Sequence, residues 1–218
     1  MRMHLVCYRL DVPGGMERAL AGLVPHLADH CDIELTVLRG RISPALAAHF
    51  SEDRFSIVLV ELRPWRLRQS VEVGRSVDVE MVVGLWAGLL WLPLWFRSSA
   101  PRILWEHSLV PTRLTFDRRL NRLRWLLWRM YRRPQVIVTV SRAAHDYARS
   151  ELHRRFGSRI PELRVIPNAM PEPEIRDRPA EEGGDAMVRL LAMHRLTPLK
   201  NTALAIRTLA FLPPNYEL

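Results

Sequence analysis

A βαβ unit is predicted by residues 3–38, MHLVCYRLDVPGGMERALAGLVPHLADHCDIELTVL. The apolar run at residues 3–8 has the length of a buried strand, and a loop with two adjacent glycines follows it. Residues 16–30 then repeat leucine and valine at the spacing of one helix face, and residues 33–38 form a second apolar run of strand length. This order is typical of two parallel strands joined by a helical crossover.

The same alternation continues along the chain to residue 166. A short helix is predicted at residues 43–50, with Ser43 as its N-cap and Pro44 in its first turn. Further apolar runs of strand length occupy residues 55–61, 79–83, 103–105, 136–140 and 163–166. We therefore predict an α/β fold with a Rossmann-like, doubly wound parallel sheet, in which ligands bind at the carboxyl ends of the strands.

A change of composition at residues 171–186 predicts a linker between two domains. The segment is charged, rich in proline and glycine, and without apolar periodicity. A new strand is predicted at 187–193 and a new helix at 201–212, and one strand with one helix cannot bury a core. We expect an N-terminal domain at 1–170, the linker, and the incomplete start of a second Rossmann-like domain at 187–218, so that the chain looks truncated.

Composition and charge narrow the classes of protein to which the chain can belong. Its 218 residues are 48% hydrophobic and 25% charged, which excludes a disordered or collagen-like chain. The two cysteines, Cys7 and Cys31, exclude a disulfide framework, and buried reduced thiols favour a cytoplasmic location. Arg9 and Asp11 interrupt the first apolar run, so no signal-peptide core is expected. The net charge of +9 predicts attraction to phosphates, anionic lipid surfaces or nucleic acid.

An uncharged stretch at residues 81–96 raises the question of a membrane span. It is shorter than the roughly 20 residues that a spanning helix needs. It also contains Gly84, Gly88 and Pro93. We predict a buried strand, a turn and a helix here, with a membrane span as the alternative.

Two candidate site features follow predicted strands. Gly14 and Gly15 precede the first helix, where a backbone without side chains lets an anion approach free N–H groups. The pair lacks the spacing of a dinucleotide-binding loop, and glycine pairs also occur in ordinary turns. His107 follows the strand at 103–105, where it could act as an acid or base or bind a polar substrate, with an ordinary loop histidine as the alternative. No other histidine or cysteine lies at metal-ligand spacing from it, so no metal site is expected.

Four more polar residues stand at the ends of predicted strands. Ser141 is placed to cap the next helix and could also donate to a ligand, and Asn168 lies in a turn before the linker. Arg195 and Lys200 lie between the strand and the helix of the second domain, where two cations could clamp a diphosphate. Two solvated loop cations are the alternative.

Residues 113–133 contain eight arginines against one acid, Asp117. A helix through this segment would carry an apolar face and an opposite basic face. The basic face would hold Arg118, Arg122, Trp125, Arg129 and Arg132. A basic face around an exposed tryptophan suits an anionic membrane surface, and a solvated helix that covers the sheet is the alternative.

Together these motifs resemble the retaining nucleotide-sugar glycosyltransferases of family four, which adopt the two-domain GT-B fold. The resemblance covers nearly the whole chain and depends on the order of the motifs. That order is Gly14-Gly15-Met16-Glu17-Arg18, His107, Val140-Ser141, Val165-Ile166-Pro167-Asn168, and Arg195-Leu196 with Lys200.

The resemblance implies roles for these positions. Gly15, Arg195 and Lys200 would bind the donor diphosphate, and His107 would face the cleft near the transferred sugar as the catalytic residue. The loops beside the acceptor would contain Gly14, Glu17, Ser141 and Asn168. The nucleotide sugar is a substrate, and the two cations would neutralise the leaving diphosphate, so neither a cofactor nor a metal is expected.

Two positions depart from the family's pattern. His194 precedes Arg195 where the family has glycine, and Ala169 follows Asn168 where the family also has glycine. The family's paired glutamates, which hold the donor sugar and ribose, lie further along than residue 218. We therefore expect residues 1–218 alone to transfer no sugar.

The expected acceptor is a cell-envelope or lipid-linked glycan, with the protein in the cytoplasm and peripheral on the inner face of the membrane. The basic helix and the tryptophans Trp86, Trp91 and Trp95 motivate this expectation. The main alternative is a non-catalytic basic module that binds a membrane surface. Nothing resembles a helix-turn-helix, a zinc finger or a single-strand platform, so the sequence argues against nucleic acid. A GT-B sugar-nucleotide epimerase is a third interpretation.

Overall fold

The chain folds into two units, Met1–Pro171 and Glu172–Leu218, in the computed structural model. The structure describes residues 1–50, 56–59, 77–95, 99–107, 124–169, 188–191 and 201–217. The predicted linker lies outside these residues.

Seven parallel strands form the sheet of the larger unit. They are β1 (Arg2–Cys7), β2 (Asp32–Val37), β3 (Ser56–Leu59), β4 (Val79–Val83), β5 (Arg102–Glu106), β6 (Val136–Thr139) and β7 (Glu162–Val165). Their order across the sheet is β3-β2-β1-β4-β5-β6-β7, and every neighbouring pair is parallel. The prediction of a Rossmann-like, doubly wound sheet is confirmed.

Helices cover both faces of this sheet. They are α1 (Gly15–Ala28), α2 (Pro44–Ala47), α3 (Leu85–Trp95), α4 (Arg124–Tyr131) and α5 (Arg142–Phe156). The smaller unit pairs β8 (Val188–Arg189) with β9 (Tyr216–Glu217) in parallel, and between them lies α6 (Thr202–Thr208), which continues as a 3-10 turn at Leu209–Phe211.

The alternation of side chains along each strand divides the core between the two faces. Leu5 and Cys7 of β1 pack in one apolar cluster with residues of α1, whereas Val6 packs in a second cluster with residues of α3, α4 and α5. Cys7 and Cys31 are buried free thiols, as predicted.

The uncharged stretch at 81–96 folds as the predicted strand, turn and helix. Strand β4 ends at Val83, and Gly84 has a φ of 79°, a left-handed conformation that favours glycine. Helix α3 then begins at Leu85. Among the described helices, none combines the length and apolar character that crossing a membrane requires.

A polar cluster lies inside the core at the amino-terminal half of the sheet. The Nε2 atom of His4 lies 2.9 Å from the Thr36 hydroxyl, and the side chains of both residues are fully buried. The indole of Trp91 donates a 2.6 Å hydrogen bond to Glu80. The Glu80 carboxylate also lies 3.5 Å from His4 Nδ1 and 3.8 Å from Arg102 Nε. The three strands β1, β4 and β5 and the helix α3 are thereby joined through one buried carboxylate.

Candidate functional site

The strand order reverses between β1 and β4. The chain proceeds from β1 through β2 to β3 on one side, and then returns to place β4 against the other side of β1. In doubly wound sheets the crevice outside the carboxyl ends of such strands is where ligands bind. The loops after β1, β4 and β5 therefore define the candidate site.

The glycine pair lies at the start of α1, at the carboxyl edge. Gly14 is the buried N-cap in an extended conformation, and Gly15 is the exposed first residue of the helix. No side chain caps the helix, and a Cβ atom added to Gly15 would meet no described atom within 4 Å. The first turn of α1 thus offers backbone N–H groups to a ligand.

The first turn of α1 contacts the turn that follows β4. A Cβ atom on Gly84 would lie 2.8 Å from the sulfur of Met16. The Gly84 N–H donates a 2.8 Å hydrogen bond to the carbonyl of Trp105 in β5. The charge of Glu17, one residue after Met16, adds to the effect of burial in raising the pKa of the Cys7 thiol. The ends of β1, β4 and β5 and the glycine loop therefore meet in one place.

His107 follows β5 directly and is half-buried. Its ring lies 4.4 Å from the ring of Trp105, centroid to centroid. The Nε2 atom is buried and has no hydrogen-bond partner among the described residues. Burial lowers the pKa of His107 to about 4, so the imidazole is neutral near pH 7 and one ring nitrogen can accept a hydrogen bond.

Ser141 and Asn168 follow β6 and β7, the third and fourth strands from β1 on that side of the sheet. The Ser141 hydroxyl accepts a 3.2 Å hydrogen bond from the backbone of Ala144, which confirms it as the N-cap of α5. Asn168 is half-buried, and its Oδ1 atom has no partner in the described part of the chain. Both stand at the carboxyl edge, as the sequence predicts.

Four predicted site residues lie outside the described residues: Arg118, Arg122, Arg195 and Lys200. The clamp of two cations on a diphosphate therefore stays a prediction.

The described part of the basic segment is helix α4. Leu127 and Met130 are fully buried, in agreement with the predicted apolar face, and Trp125 is 67% exposed. Arg129 and Arg132 are exposed, and the guanidinium of Arg132 lies 5.6 Å from the ring centroid of Phe156.

An aromatic pair stands at the reversal point and was not predicted. The rings of Tyr8, after β1, and Trp86, in the first turn of α3, lie 6.4 Å apart. Trp86 is 39% exposed. Trp86 lies two residues after Gly84 in the sequence, but this position predicts a contact with Tyr8 only once β1 and β4 are known to be neighbouring strands.

Within the described ranges, no group of three or more His, Cys, Asp or Glu is arranged to hold a metal ion.

The chain is similar in fold to several solved structures with bound UDP or UDP-sugars. The Anabaena protein HepE in complex with UDP-glucose superposes with a TM-score of 0.66 at 16% identity, over 98% of this chain and 58% of HepE. An alpha-glucosyltransferase bound to UDP matches with a TM-score of 0.51 at 12% identity, over 78% of this chain and 44% of that one. UGT2 of Phytolacca americana, complexed with UDP-2fluoro-glucose and pterostilbene, matches with a TM-score of 0.53 at 9% identity, over 78% and 55%. The fold is that of the GT-B glycosyltransferases, and the chain spans 58% or less of the length of these proteins.

The family follows from the sequence itself. A sequence model described as Glycosyltransferase Family 4 matches residues 13–171. The chain belongs to this family. No curated protein matches the chain.

Proposed function

We propose that this chain supplies the acceptor side of an enzyme that transfers a sugar from a nucleotide-diphosphate donor to an acceptor hydroxyl, with retention of configuration. The observation that carries the proposal is the meeting of the glycine loop, the Gly84 turn and the end of β5 at the strand reversal, in a chain of this family. A crevice at that position is where a doubly wound sheet binds its substrate.

The donor diphosphate contacts the first turn of α1 in this proposal. Gly15 presents its backbone without a side chain, and the positive end of the helix dipole faces the anion. Arg195 and Lys200 neutralise the charge that grows on the leaving diphosphate, in the role that a metal ion has in other transferases. The leaving phosphate then takes the proton of the acceptor hydroxyl.

His107 acts as a neutral hydrogen-bonding group beside the transferred sugar. Its unpartnered Nε2 atom and its lowered pKa both suit an imidazole that pairs with a sugar hydroxyl. A permanent cation at this position would require a much higher pKa.

An assay of sugar transfer by the protein isolated from its source cells tests the proposal. The protein is isolated from its source cells with an antibody against residues 1–170, its intact mass is measured, and it is incubated with UDP-, GDP- and ADP-sugars. We expect a product with a mass of about twice 25.3 kDa that transfers sugar, whereas recombinant residues 1–218 transfer none. Transfer by residues 1–218 alone would contradict the second expectation. A native product near 25.3 kDa without transfer would favour the non-catalytic membrane-surface module.

We further propose a cell-envelope or lipid-linked acceptor and a peripheral position on the inner face of the membrane. Support comes from α4, where Trp125, Arg129 and Arg132 are exposed on one side. The tryptophans of residues 81–96 support it less than expected, because Trp91 is 2% exposed and hydrogen-bonded inside the core.

Flotation with phosphatidylglycerol vesicles tests the membrane part. The variant W125A/R129A/R132A should lose most of its binding. A matched control, R142A/R149A, removes the same charge from exposed positions of α5 and should retain binding. Equal loss in both variants would mean that net charge alone attracts the protein to the vesicles.

A further inference from the structure

Two loops at the carboxyl edge are joined beside β1 and β2. Leu10, in the loop after β1, and Ile42, in the loop after β2, form an isolated parallel bridge. The N–H of Ser43 donates a 2.8 Å hydrogen bond to the carbonyl of Leu10. Gly40, with a φ of 58°, makes the left-handed turn that brings the second loop back to the first.

This bridge brings the backbones of two arginines to neighbouring positions. Leu10 is fully buried and Ile42 packs against the same core cluster. Arg9 and Arg41 directly precede these two bridged residues. Like charges at such a register position destabilise a fold.

The two arginines are not neutralised equally. Arg9 Nε lies 2.7 Å from a carboxylate oxygen of Asp11. Arg41 is exposed, and no acid within the described ranges forms an ion pair with it. Ser43, next to Arg41, is 7% exposed, and its Oγ atom has no hydrogen-bond partner among the described residues even though the residue caps α2. Within the described part of the chain, one guanidinium without an ion pair and one buried hydroxyl without a hydrogen bond thus lie two residues apart.

These groups have the donor chemistry of a site for a phosphate group. Guanidinium groups bind phosphate oxygens through paired, charge-assisted hydrogen bonds, and a hydroxyl adds a further donor. The loop that contains Arg9 leads directly to Gly14 at the start of α1, so the arginine pair flanks the candidate site on its β2 side.

We propose that Arg9, Arg41 and Ser43 form a subsite for a phosphate group on the acceptor. The inference rests on the proposed function, since it assigns the acceptor to this side of the crevice. The phosphate belongs either to a soluble sugar phosphate or to a lipid headgroup, and the same three residues bind it in both cases.

NMR spectra of the arginine side chains in the 218-residue protein test the subsite. The Nε–H signals of Arg9 and Arg41 are assigned by comparison with R9Q and R41Q, and the protein is titrated with glucose 1-phosphate and, separately, with glucose. We expect both signals to shift with glucose 1-phosphate alone. The dissociation constant should rise by about tenfold or more in R41Q, as the loss of one charge-assisted hydrogen bond produces.

The matched control is R149Q, which removes an exposed arginine from α5 and should leave the dissociation constant unchanged. Backbone amide spectra establish that each variant is folded, and S43A gives a second, uncharged variant that should also weaken binding. Equal weakening in R41Q and R149Q, or no shift of the Arg9 and Arg41 signals with either glucose 1-phosphate or dihexanoyl phosphatidylglycerol, would overturn the proposal.

A second titration separates the two sources of phosphate. Dihexanoyl phosphatidylglycerol below its micellar concentration should shift the same signals if a lipid headgroup is the better ligand, and glucose 1-phosphate should bind more tightly if the acceptor is a soluble sugar phosphate. If neither compound shifts them, the subsite does not exist. The amide signals of Gly14 and Gly15 report separately on UDP, so the donor part of the proposed function can fail while the arginine signals still respond.

Discussion

His107 shows how one side chain acquires its chemistry from its neighbours. Its place after a strand could be read from the sequence, because β5 is an apolar run with a clear end. The sequence does not predict its contact with the Trp105 ring, or that its Nε2 atom has no partner among the described residues, because both depend on how neighbouring loops pack. Burial without a hydrogen bond disfavours the imidazolium, and this lowers the pKa of His107 to about 4.

The lowered pKa of His107 predicts a particular dependence of stability on pH. The reference pKa is 6.5, so between pH 6.5 and about 4 the unfolded chain binds a proton that the folded chain does not. The free energy of unfolding should therefore fall as the pH falls through this window, and H107Q should remove part of the slope. Urea unfolding at about pH 7 and pH 5 measures it, with H49Q, at an exposed position, as the control. An NMR titration midpoint of the His107 ring near 6.5 would contradict the prediction.

The hydrogen bond between Trp91 and Glu80 inside the core can be tested by substitution of Trp91. The Glu80 carboxylate is 2% exposed and accepts a hydrogen bond from the Trp91 indole. W91F removes that donor and also leaves part of the indole volume unfilled, so we expect a loss of about 2–4 kcal/mol in the free energy of unfolding. W86F, at an exposed tryptophan of the same helix, should change it by less than about 0.5 kcal/mol. Equal effects in denaturant titrations would mean that neither the hydrogen bond nor the packing of Trp91 stabilises the fold.

At the scale of elements, the sequence predicts the existence and order of strands and helices better than their ends. Every strand of the large sheet corresponds to a predicted apolar run, because the central strands of a parallel sheet are buried on both faces and are therefore mostly apolar. Helix α5 begins after the predicted N-cap Ser141 and extends to Phe156, where Gly157 with a φ of 64° terminates it. Helix α2 is four residues long although eight were predicted, and Leu190 and Leu191 lie outside β8 although the predicted strand included them.

For the candidate site too, the sequence predicts some features and not others. Residues that follow strand ends, such as Gly14, His107 and Ser141, could be found from the sequence, because the edge of a parallel sheet is fixed by strand direction. The pairs Tyr8 with Trp86 and Leu10 with Ile42 could not be found in this way, because each joins loops that are distant in sequence. Pattern within one element carries no information about which loops become neighbours.

Two helical glycines provide a test of packing between elements. Gly22 in α1 is exposed, and a Cβ atom there meets no described atom within 4 Å. Gly88 in α3 is buried against the sulfur of Met130 in α4, which a Cβ atom would strike. Urea unfolding should show G22A to be more stable by about 0.5–1 kcal/mol and G88A to be less stable by about 1–3 kcal/mol. A neutral or stabilising G88A would mean that the Met130 side chain or helix α4 moves aside without cost.

At the scale of the whole molecule, the two units differ in what they bury. The larger unit has two apolar clusters under its helices. In the smaller unit, large apolar side chains face solvent, with Leu191 83%, Phe211 86%, Ile206 57% and Leu204 56% exposed. The described two-stranded parallel sheet and helix of this unit do not cover such side chains, because they offer too little surface to pack them against.

This difference predicts where an apolar probe binds. Nile red is neutral, so the net charge of +9 does not attract it as it would attract an anionic dye. The variant L191S/F211S should reduce the dye fluorescence by about half, because it removes the two most exposed large apolar side chains of the smaller unit. W125S, which removes a 67% exposed tryptophan from the larger unit, should reduce it much less, since Trp125 stands on a helix whose apolar face is already buried. An equal reduction by both variants would mean that the dye does not distinguish the two units. If L191S/F211S leaves the fluorescence unchanged, the apolar side chains of the smaller unit are covered in solution. Sedimentation velocity would then show whether a second copy of the chain covers them.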